Sequence, residues 1–118
     1  MSRFPLARGR VWRRPSGSLN KTESRYADQL ELRKLAGEVA WYGYESIKLK
    51  LTKATFYTPD FLVILADGTV ELHEVKGFWE DDARVKIKVA AELFPMFRFI
   101  AITEQGKKFG GGWKVEEF

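Results

Sequence analysis

The pattern of apolar and polar positions predicts a helix at the start of the folded part of the chain. Its apolar residues recur at the three- and four-residue spacing of one helical face, namely Tyr26, Ala27 and Leu30. Asn20 or Thr22 can cap the first turn, because either side chain accepts a hydrogen bond from a free backbone N–H group. Gly37 suits the left-handed position that ends many helices. These features predict a helix within residues 19–37.

Strand-length apolar segments occupy the middle of the chain. The run from Phe61 to Ala66 is unbroken, which is typical of an interior strand, and Asp67-Gly68 after it predicts a two-residue hairpin turn. The other predicted strands are residues 39–44, 47–51, 70–76 and 97–103, with a short edge strand at 113–118. Helical spacing returns over residues 79–93, and Pro95 ends this second helix. The predicted order is a helix, about three strands, a second helix and a strand.

Composition narrows the class of protein. The chain has 118 residues, 45% hydrophobic and 31% charged, which is the balance expected of one soluble folded domain. It has no cysteine and one histidine, so disulfide frameworks, thiolate zinc sites and multi-histidine metal sites are excluded. No apolar run is long enough to span a membrane, and the first residues lack the apolar stretch of a secretory signal. We therefore predict a cytoplasmic protein without a membrane partner.

Basic charge is concentrated at the start of the chain. Residues 1–21 contain six arginine or lysine residues and no acidic residue, whereas the remainder is slightly acidic. Because the segment is rich in proline, glycine and serine, we predict a flexible basic arm over residues 1–18 and a single folded domain over residues 19–118. A basic arm binds phosphates by releasing counterions. The alternative is a solvated tail that aids solubility, and the arm alone leaves the two open.

Two acids and one lysine converge on the predicted hairpin. Glu74 and Lys76 lie two residues apart on one strand, so their side chains share one face of the sheet. A two-residue turn sets Asp60 opposite Val75, within about 5–8 Å of both other side chains. Close carboxylates repel each other unless a cation neutralises them, and a hard cation such as Mg²⁺ prefers oxygen ligands. The alternative for the E-V-K triplet alone is a surface ion pair on a strand.

The same end of the sheet offers oxygen ligands for a metal ion. Asp60, Glu74, the Val75 carbonyl and waters suit Mg²⁺, and Lys76 can then orient or deprotonate an attacking water or offset phosphate charge. Glu23 shares the apolar face of the first helix, where an acid needs a partner. A metal site or a lysine supplies that partner. The alternative is a first-turn acid that the helix dipole favours.

The single histidine, His73, neighbours this group without sharing its face. On a regular strand it points away from Glu74, because successive side chains alternate between the two faces of a sheet. We therefore predict a partly buried, hydrogen-bonded histidine in preference to one that contacts phosphate.

The order of the acids and the lysine resembles the PD-(D/E)xK nuclease superfamily. The signature reads P-D at Pro59-Asp60 and E-V-K at residues 74–76, after an upstream Glu23. The spacing is most similar to the phage-type endonuclease I branch of Holliday junction resolvases. Over about residues 19–118 the chain also resembles a family of small phage and prophage proteins of unknown function. Three stretches carry that likeness: N-K-T-E-S-R-Y-A (20–27), Y-T-P-D-F (57–61) and H-E-V-K-G-F-W-E-D-D-A-R-V-K (73–86).

The resemblance implies a fold, a reaction and a set of ligands. The implied fold is an α/β restriction-endonuclease-like core, a mixed β-sheet flanked by helices in the order α-β-β-β-α-β. The implied reaction is DNA phosphodiester hydrolysis with Mg²⁺, for which Mn²⁺ substitutes. Asp60, Glu74, the Val75 carbonyl and Glu23 would hold the metal, and Lys76 would serve the nucleophilic water. The segment that bridges endonuclease I dimers is not seen here, so a homodimer and junction resolution are implied less directly than nuclease chemistry.

Basic residues outside the signature predict where DNA binds. They are Arg10, Arg13, Arg14, Lys21, Arg84 and Lys88, with Lys48, Lys50 and Lys53 as further candidates. The leading hypothesis is a metal-dependent endonuclease for branched or otherwise unusual DNA in phage recombination or replication, acting in the host-cell cytoplasm. The main alternative is a non-catalytic nucleic-acid-binding or host-modulating phage protein, and the second is an RNA nuclease. The intact acids and lysine favour the enzyme, because a carboxylate cluster without a metal repels phosphate.

Overall fold

A computed structural model describes residues 18–77 and 81–118, which form a mixed β-sheet flanked by two helices. The predicted α/β class is therefore confirmed. The helices are α1 (Lys21–Leu35) and α2 (Asp81–Leu93). The strands are β1 (Val39–Tyr44), β2 (Leu49–Lys50), β3 (Phe56–Tyr57), β4 (Phe61–Leu65), β5 (Val70–Lys76), β6 (Arg98–Glu104) and β7 (Trp113–Glu117). The predicted arm, apart from Ser18, lies outside the described residues. In the described part of the chain, neither helix has the length and apolar character needed to cross a membrane.

Helix α1 begins and ends where its sequence predicts. The Glu23 N–H donates to Asn20 Oδ1 at 2.8 Å, and the Asn20 N–H donates to Glu23 Oε1 at 2.9 Å. This reciprocal capping box satisfies backbone donors that the first turn leaves free. Gly37 follows the helix with a φ of +85°, which a residue without a Cβ adopts at little cost. Of the two capping residues considered, Asn20 is the one that caps.

The main sheet has five strands in the order β1-β4-β5-β6-β7. Its neighbouring strands are antiparallel except for β5 and β6, which are parallel and are joined through α2. Parallel strands need such a crossover, because a tight turn cannot return the chain in the same direction. Strand β5 consequently lies at the centre of the sheet, with paired neighbours on both sides. The predicted strand at residues 47–51 is reduced to β2, which pairs with β3 in a separate two-stranded sheet.

The hairpin between β4 and β5 differs from the predicted two-residue turn. Leu65 faces Thr69 across three loop residues, and the Leu65 N–H donates to the Thr69 carbonyl at 2.8 Å. Gly68 has a φ of +92°. Three-residue hairpin loops commonly end in a left-handed residue of this kind. The extra loop residue shifts the register by one. Phe61 faces His73 in the observed pairing, which sets Asp60 across from Glu74 rather than from Val75.

Two apolar cores lie on opposite faces of the sheet. One core packs beneath α1 and includes Tyr26, Leu30, Phe61, Val63, Val75, Ile100 and Ile102. The other packs beneath α2 and the small sheet and includes Leu49, Tyr57, Leu72, Ile87, Ala90, Phe99 and Ala101. Neighbouring residues of β4, β5 and β6 alternate between these cores, as the two-residue period of a strand requires. We call the two sides of the sheet the α1 face and the α2 face.

The connection from β6 to β7 passes through a short 3-10 helix, Lys107–Phe109, and three consecutive glycines. Gly110, Gly111 and Gly112 have φ values of +91°, +69° and +79°. Strand β7 then returns along the edge of the sheet, where Glu116 binds Arg84 and Glu117 binds Arg98. The predicted edge strand at residues 113–118 is therefore confirmed.

Candidate metal and nuclease site

Asp60 and Glu74 lie side by side at one end of the sheet, on the α2 face. Asp60 immediately precedes β4, and Glu74 lies near the end of β5. The observed register, continued by one residue, places the two directly across from each other. Their side chains are 7% and 8% exposed, so both carboxyl groups are nearly removed from water. The two acids lie close together, as predicted, and they face each other directly instead of diagonally.

Each acid is held by one neutral hydrogen-bond donor. The Val75 N–H donates to Asp60 Oδ2 at 2.8 Å, in place of the backbone bond that a longer β4 would make. The Tyr57 hydroxyl donates to Glu74 Oε1 at 2.8 Å. Lys76 Nζ lies 3.4 Å from the other oxygen, Oε2, and the lysine side chain is 41% exposed. Within residues 18–77 and 81–118, Lys76 is the one cation that pairs with these two buried acids, and its side chain is about half exposed.

The electrostatics of this pair favour protonation. Burial and the charge of Glu74 raise the pKa of Asp60 to about 8, although the Val75 N–H and Lys76 oppose the shift. Burial also raises the pKa of Glu74, against the effects of Tyr57 and Lys76. Two adjacent carboxylates in a poorly solvated site cannot both ionise without additional positive charge. A bound cation would supply that charge.

Glu23 approaches this pair from the α1 face. It is buried, and its Oε1 accepts the Asn20 N–H of the capping box and the Tyr44 hydroxyl, the latter at 3.1 Å. Its charge contributes to the raised pKa of Asp60, so the two acids interact electrostatically. Glu23 is therefore a first-turn acid, as the alternative predicted, and it also forms the capping box with Asn20. The prediction that it also binds metal or orients a water stays a prediction.

The donor set suits a hard divalent cation held by two protein carboxylates. Within residues 18–77 and 81–118, no group of three or more histidine, aspartate or glutamate side chains is arranged to hold a metal ion. Asp60 and Glu74 nevertheless offer oxygen atoms, and in the described part of the chain nothing donates to Asp60 Oδ1. Mg²⁺ is commonly bound by one or two carboxylates and several waters. A buried carboxylate oxygen without a donor, next to a second acid, fits such a site.

The opposite face of β5 carries a second set of buried polar groups. His73 Nε2 lies 2.9 Å from Glu71 Oε1, and the Tyr26 hydroxyl lies 2.7 Å from His73 Nδ1. Because a carboxylate only accepts, Nε2 carries the proton and Nδ1 accepts from Tyr26. Arg98 Nη1 adds an ion pair to Glu71 at 3.0 Å. The prediction of a buried, hydrogen-bonded histidine is confirmed, and His73 faces away from the candidate site.

The predicted nucleic-acid-binding residues are scattered. Arg10, Arg13 and Arg14 lie outside the described residues. Lys21 is exposed in the first turn of α1, and Lys88 is exposed on α2. Arg84 binds Glu116 at 2.5 Å and lies over the Phe118 ring, so its charge is partly offset within the protein. Their role in binding DNA stays a prediction.

Sequence reasoning missed Tyr57 and Tyr44, which orient Glu74 and Glu23. Burial and the neighbouring acids raise the pKa of both tyrosines far above neutrality, so they remain protonated donors. A signal was present, because a tyrosine on an apolar strand face buries a hydroxyl that needs a partner. That signal does not say which acid the hydroxyl reaches.

Comparison with known proteins identifies the family of the chain. A family model described as "Protein of unknown function (DUF1064)" matches residues 18–110. The chain belongs to this family. No curated protein and no solved structure matches it. The DUF1064 match includes all the acids and the lysine of the candidate site, as well as the polar groups on the opposite face of β5. Both faces of this strand therefore belong to the DUF1064 domain.

Proposed function

We propose that this chain is a metal-dependent endonuclease that hydrolyses DNA phosphodiesters at Asp60, Glu74 and Lys76. The observation that carries the proposal is the pair of buried, adjacent carboxylates, whose pKa values are raised and whose one ion-pair partner among the described residues is the half-exposed Lys76. Perturbed acids of this kind cluster at functional sites more often than elsewhere. The likeness of P-D and E-V-K to the PD-(D/E)xK signature gives the pair a specific chemistry.

Each residue of the site has a role that its position supports. Asp60, Glu74 and the Val75 carbonyl would hold Mg²⁺, or Mn²⁺ in its place, and the bound ion would lower the pKa of a water and offset phosphate charge. Tyr57 fixes one oxygen of Glu74, which leaves the other for a ligand. Lys76 reaches this second oxygen from solvent, where it can orient the attacking water or contact the phosphate. Glu23, held by Tyr44, adds a ligand or orients a water from the α1 face.

The proposed substrate is branched DNA of the kind formed in phage recombination or replication. The resemblance to endonuclease I carries this part of the proposal, together with a homodimer and a location in the host-cell cytoplasm. In the described part of the chain, Asp60 Oδ1 accepts no hydrogen bond, so it can bind a metal ion. This supports the chemistry but does not decide the shape of the substrate. Substrate shape is therefore the variable that the experiment must scan.

The test is a cleavage assay with purified protein and labelled four-way junction, nicked, linear duplex and single-stranded DNA, and with RNA. Each substrate is incubated with Mg²⁺, Mn²⁺ or EDTA. We expect metal-dependent cleavage, highest on the junction and lost in Asp60→Asn and Lys76→Met. Glu71→Gln is the matched control, since it alters a buried acid of the same strand on the opposite face.

Two results would contradict the proposal. Binding without cleavage in any metal would indicate the non-catalytic nucleic-acid-binding protein instead. Cleavage that survives both substitutions would show that the activity comes from elsewhere. Preferential cleavage of RNA would keep the chemistry and replace the substrate.

A further inference from the structure

The small sheet of β2 and β3 forms a hairpin with two different sides. We call residues 46–57 the lysine hairpin. Leu49 pairs with Tyr57, and both side chains are buried in the α2-face core. Lys50 pairs with Phe56, and both are exposed. Lys48 lies on this same outer side, because it is two residues from Lys50. The hairpin thus has an apolar inner side and a basic, aromatic outer side.

The inner side attaches the hairpin to the candidate site. Leu49 and Tyr57 pack in the same core as Leu72 and Ile87. The Tyr57 hydroxyl also donates to Glu74 Oε1 at 2.8 Å, so the base of the hairpin contacts one of the two site carboxylates. Burial and this hydrogen bond hold the outer side in a defined position beside the proposed reaction centre.

The outer side carries positive charge that no ion pair among the described residues neutralises. The lysine hairpin contains Lys48, Lys50 and Lys53 and no acidic residue. In the described part of the chain, none of these lysines makes an ion pair, whereas all four arginines there do so: Arg25, Arg33, Arg84 and Arg98. Uncompensated cations on a fixed element favour an anionic partner.

An exposed aromatic ring lies among these cations. Phe56 is 41% exposed, and Lys48 Nζ lies 4.8 Å from the centre of its ring. An apolar ring in this position has no core to join, because the hairpin buries Leu49 and Tyr57 instead. Basic grooves interleaved with aromatic rings are the usual means of binding single-stranded nucleic acid, since phosphates bind the cations and bases stack on the rings.

We propose that the outer side of the lysine hairpin binds a nucleic-acid strand with unpaired bases, with its lysines on phosphates and Phe56 stacked on a base. The two-residue spacing places Lys48 and Lys50 about 6.6 Å apart along the strand, comparable to successive phosphates of an extended single strand. The inference rests on the proposed function, because it assigns to the hairpin the nucleic-acid strand next to the cleaved phosphodiester bond.

The first test compares two variants that remove the same charge. Lys48→Gln/Lys50→Gln changes the hairpin, and Arg33→Gln/Lys34→Gln changes the last turn of α1, at the opposite end of the sheet. Fluorescence anisotropy measures binding of a labelled single-stranded oligonucleotide to the full chain in EDTA, over a range of salt. We expect the hairpin variant to lose about tenfold in affinity. The slope of log affinity against log salt concentration should also be smaller by about 1.4, because each of the two lost phosphate contacts contributes about 0.7. The control variant should change affinity by less than about twofold.

A second test isolates the aromatic ring. Phe56→Ala should weaken binding of the single-stranded oligonucleotide about fivefold or more, since stacking contributes about 1–3 kcal/mol per base. Binding of a blunt duplex of the same sequence should change little. Phe56→Trp, which keeps a stacking surface, should preserve single-strand affinity. Equal losses for single strand and duplex, or no loss for either, would overturn the stacking.

The failure of this inference is distinguishable from failure of the nuclease. Equal affinities of the two charge variants would overturn the hairpin proposal even if the protein cleaves DNA. Hairpin-dependent binding with no cleavage in any metal would keep the hairpin and reject the nuclease. A poly-glutamate peptide that competes as well as the oligonucleotide would indicate an acidic protein partner and overturn the nucleic-acid assignment.

Discussion

Strand β5 buries acids on both of its faces, and the two faces treat them in opposite ways. On the α1 face, Glu71 has Arg98 at 3.0 Å and His73 at 2.9 Å, and these partners lower its pKa. On the α2 face, the described residues offer Glu74 and Asp60 one half-exposed lysine, Lys76, and burial raises the pKa of both acids. With similar solvent exposure, the local surroundings decide the direction of the shift: a hydrogen bond from His73 lowers the pKa of Glu71, whereas burial raises the pKa of Asp60 and of Glu74.

The contrast separates a structural polar cluster on the α1 face from the pair on the α2 face that we propose to be functional. The α1-face cluster is complete within the protein, because Tyr26, His73 and Glu71 satisfy one another. Among the described residues, the α2-face pair has Lys76 as its one ion-pair partner, and we propose that a bound cation completes it. A buried acid that stays unsatisfied reduces stability, so a protein that retains one usually gains a function from it. Substitutions on the two faces of β5 test this division.

The largest effect concerns activity, measured with the same substitution on the two faces of β5. Glu74→Gln should lower kcat/KM for DNA cleavage about 1,000-fold, since it removes a proposed ligand and about 4 kcal/mol of transition-state stabilisation. Glu71→Gln should leave the rate per folded molecule within about threefold, because it keeps a hydrogen-bond acceptor for His73 on the other face. Equal losses would abolish the distinction between the faces. Single-turnover kinetics with far-ultraviolet circular dichroism on each variant makes the comparison.

For stability we expect the reverse: a substitution on the α1 face should cost more than one on the α2 face. His73→Leu strands the Tyr26 hydroxyl in the interior and leaves the Glu71 carboxylate with Arg98 alone, so we expect the free energy of unfolding to fall by about 3 kcal/mol. Asp60→Asn should not lower it, because the variant removes a carboxyl group that is costly to ionise where it lies. Urea denaturation at pH 7.5 in EDTA measures both. A His73→Leu variant as stable as the original chain would mean that the α1-face cluster contributes nothing to the fold.

The dependence of stability on pH should differ between the original chain and Asp60→Asn. The folded pKa of Asp60, about 8, lies above its unfolded value, so its contribution is present in acid and is lost as pH rises through about 8. Between pH 6.5 and 8.5 the original chain should lose about 2 kcal/mol relative to the variant in EDTA. His73 and Glu71 have lowered pKa values, so their titration changes stability at lower pH, outside this window. Parallel stability curves would place the titration elsewhere.

The smallest effect is stabilisation by metal. If Mn²⁺ binds with a dissociation constant near 1 mM, 10 mM of the ion stabilises the folded chain by about 1.4 kcal/mol. The melting temperature should therefore rise at pH 7.5 in the original chain and in Glu71→Gln. It should not rise in Asp60→Asn. A rise in all three proteins would point to a metal site away from Asp60.

The sequence predicted much of this arrangement, because strand period and hairpin geometry are local properties. Glu74 and Lys76 share a face for the same reason that His73 does not, and the P-D pair immediately precedes the partner strand. The register was wrong by one residue, because Asp67-Gly68 serves equally well in a two-residue or a three-residue loop. Only the pairing of Phe61 with His73 shows which loop formed.

The partners that hold the acids were less accessible to sequence reasoning. Tyr57 lies in a strand of two residues, too short for a periodic signal, yet its hydroxyl orients Glu74. Arg98 reaches Glu71 only because β5 and β6 are parallel neighbours. Such contacts depend on strand order across the whole sheet, which no local pattern encodes.

The glycine loop that leads into β7 has a consequence for mutational tolerance. A Cβ on Gly110, Gly111 or Gly112 would meet no other atom within 4 Å, so sterics with the rest of the protein permit any side chain there. All three backbones are nevertheless left-handed, a conformation that costs other residues about 1 kcal/mol or more each. A saturation scan should find these surface positions depleted of substitutions although they touch nothing. An experimenter who infers function from such depletion would be misled, because the constraint comes from the left-handed backbone of the loop itself.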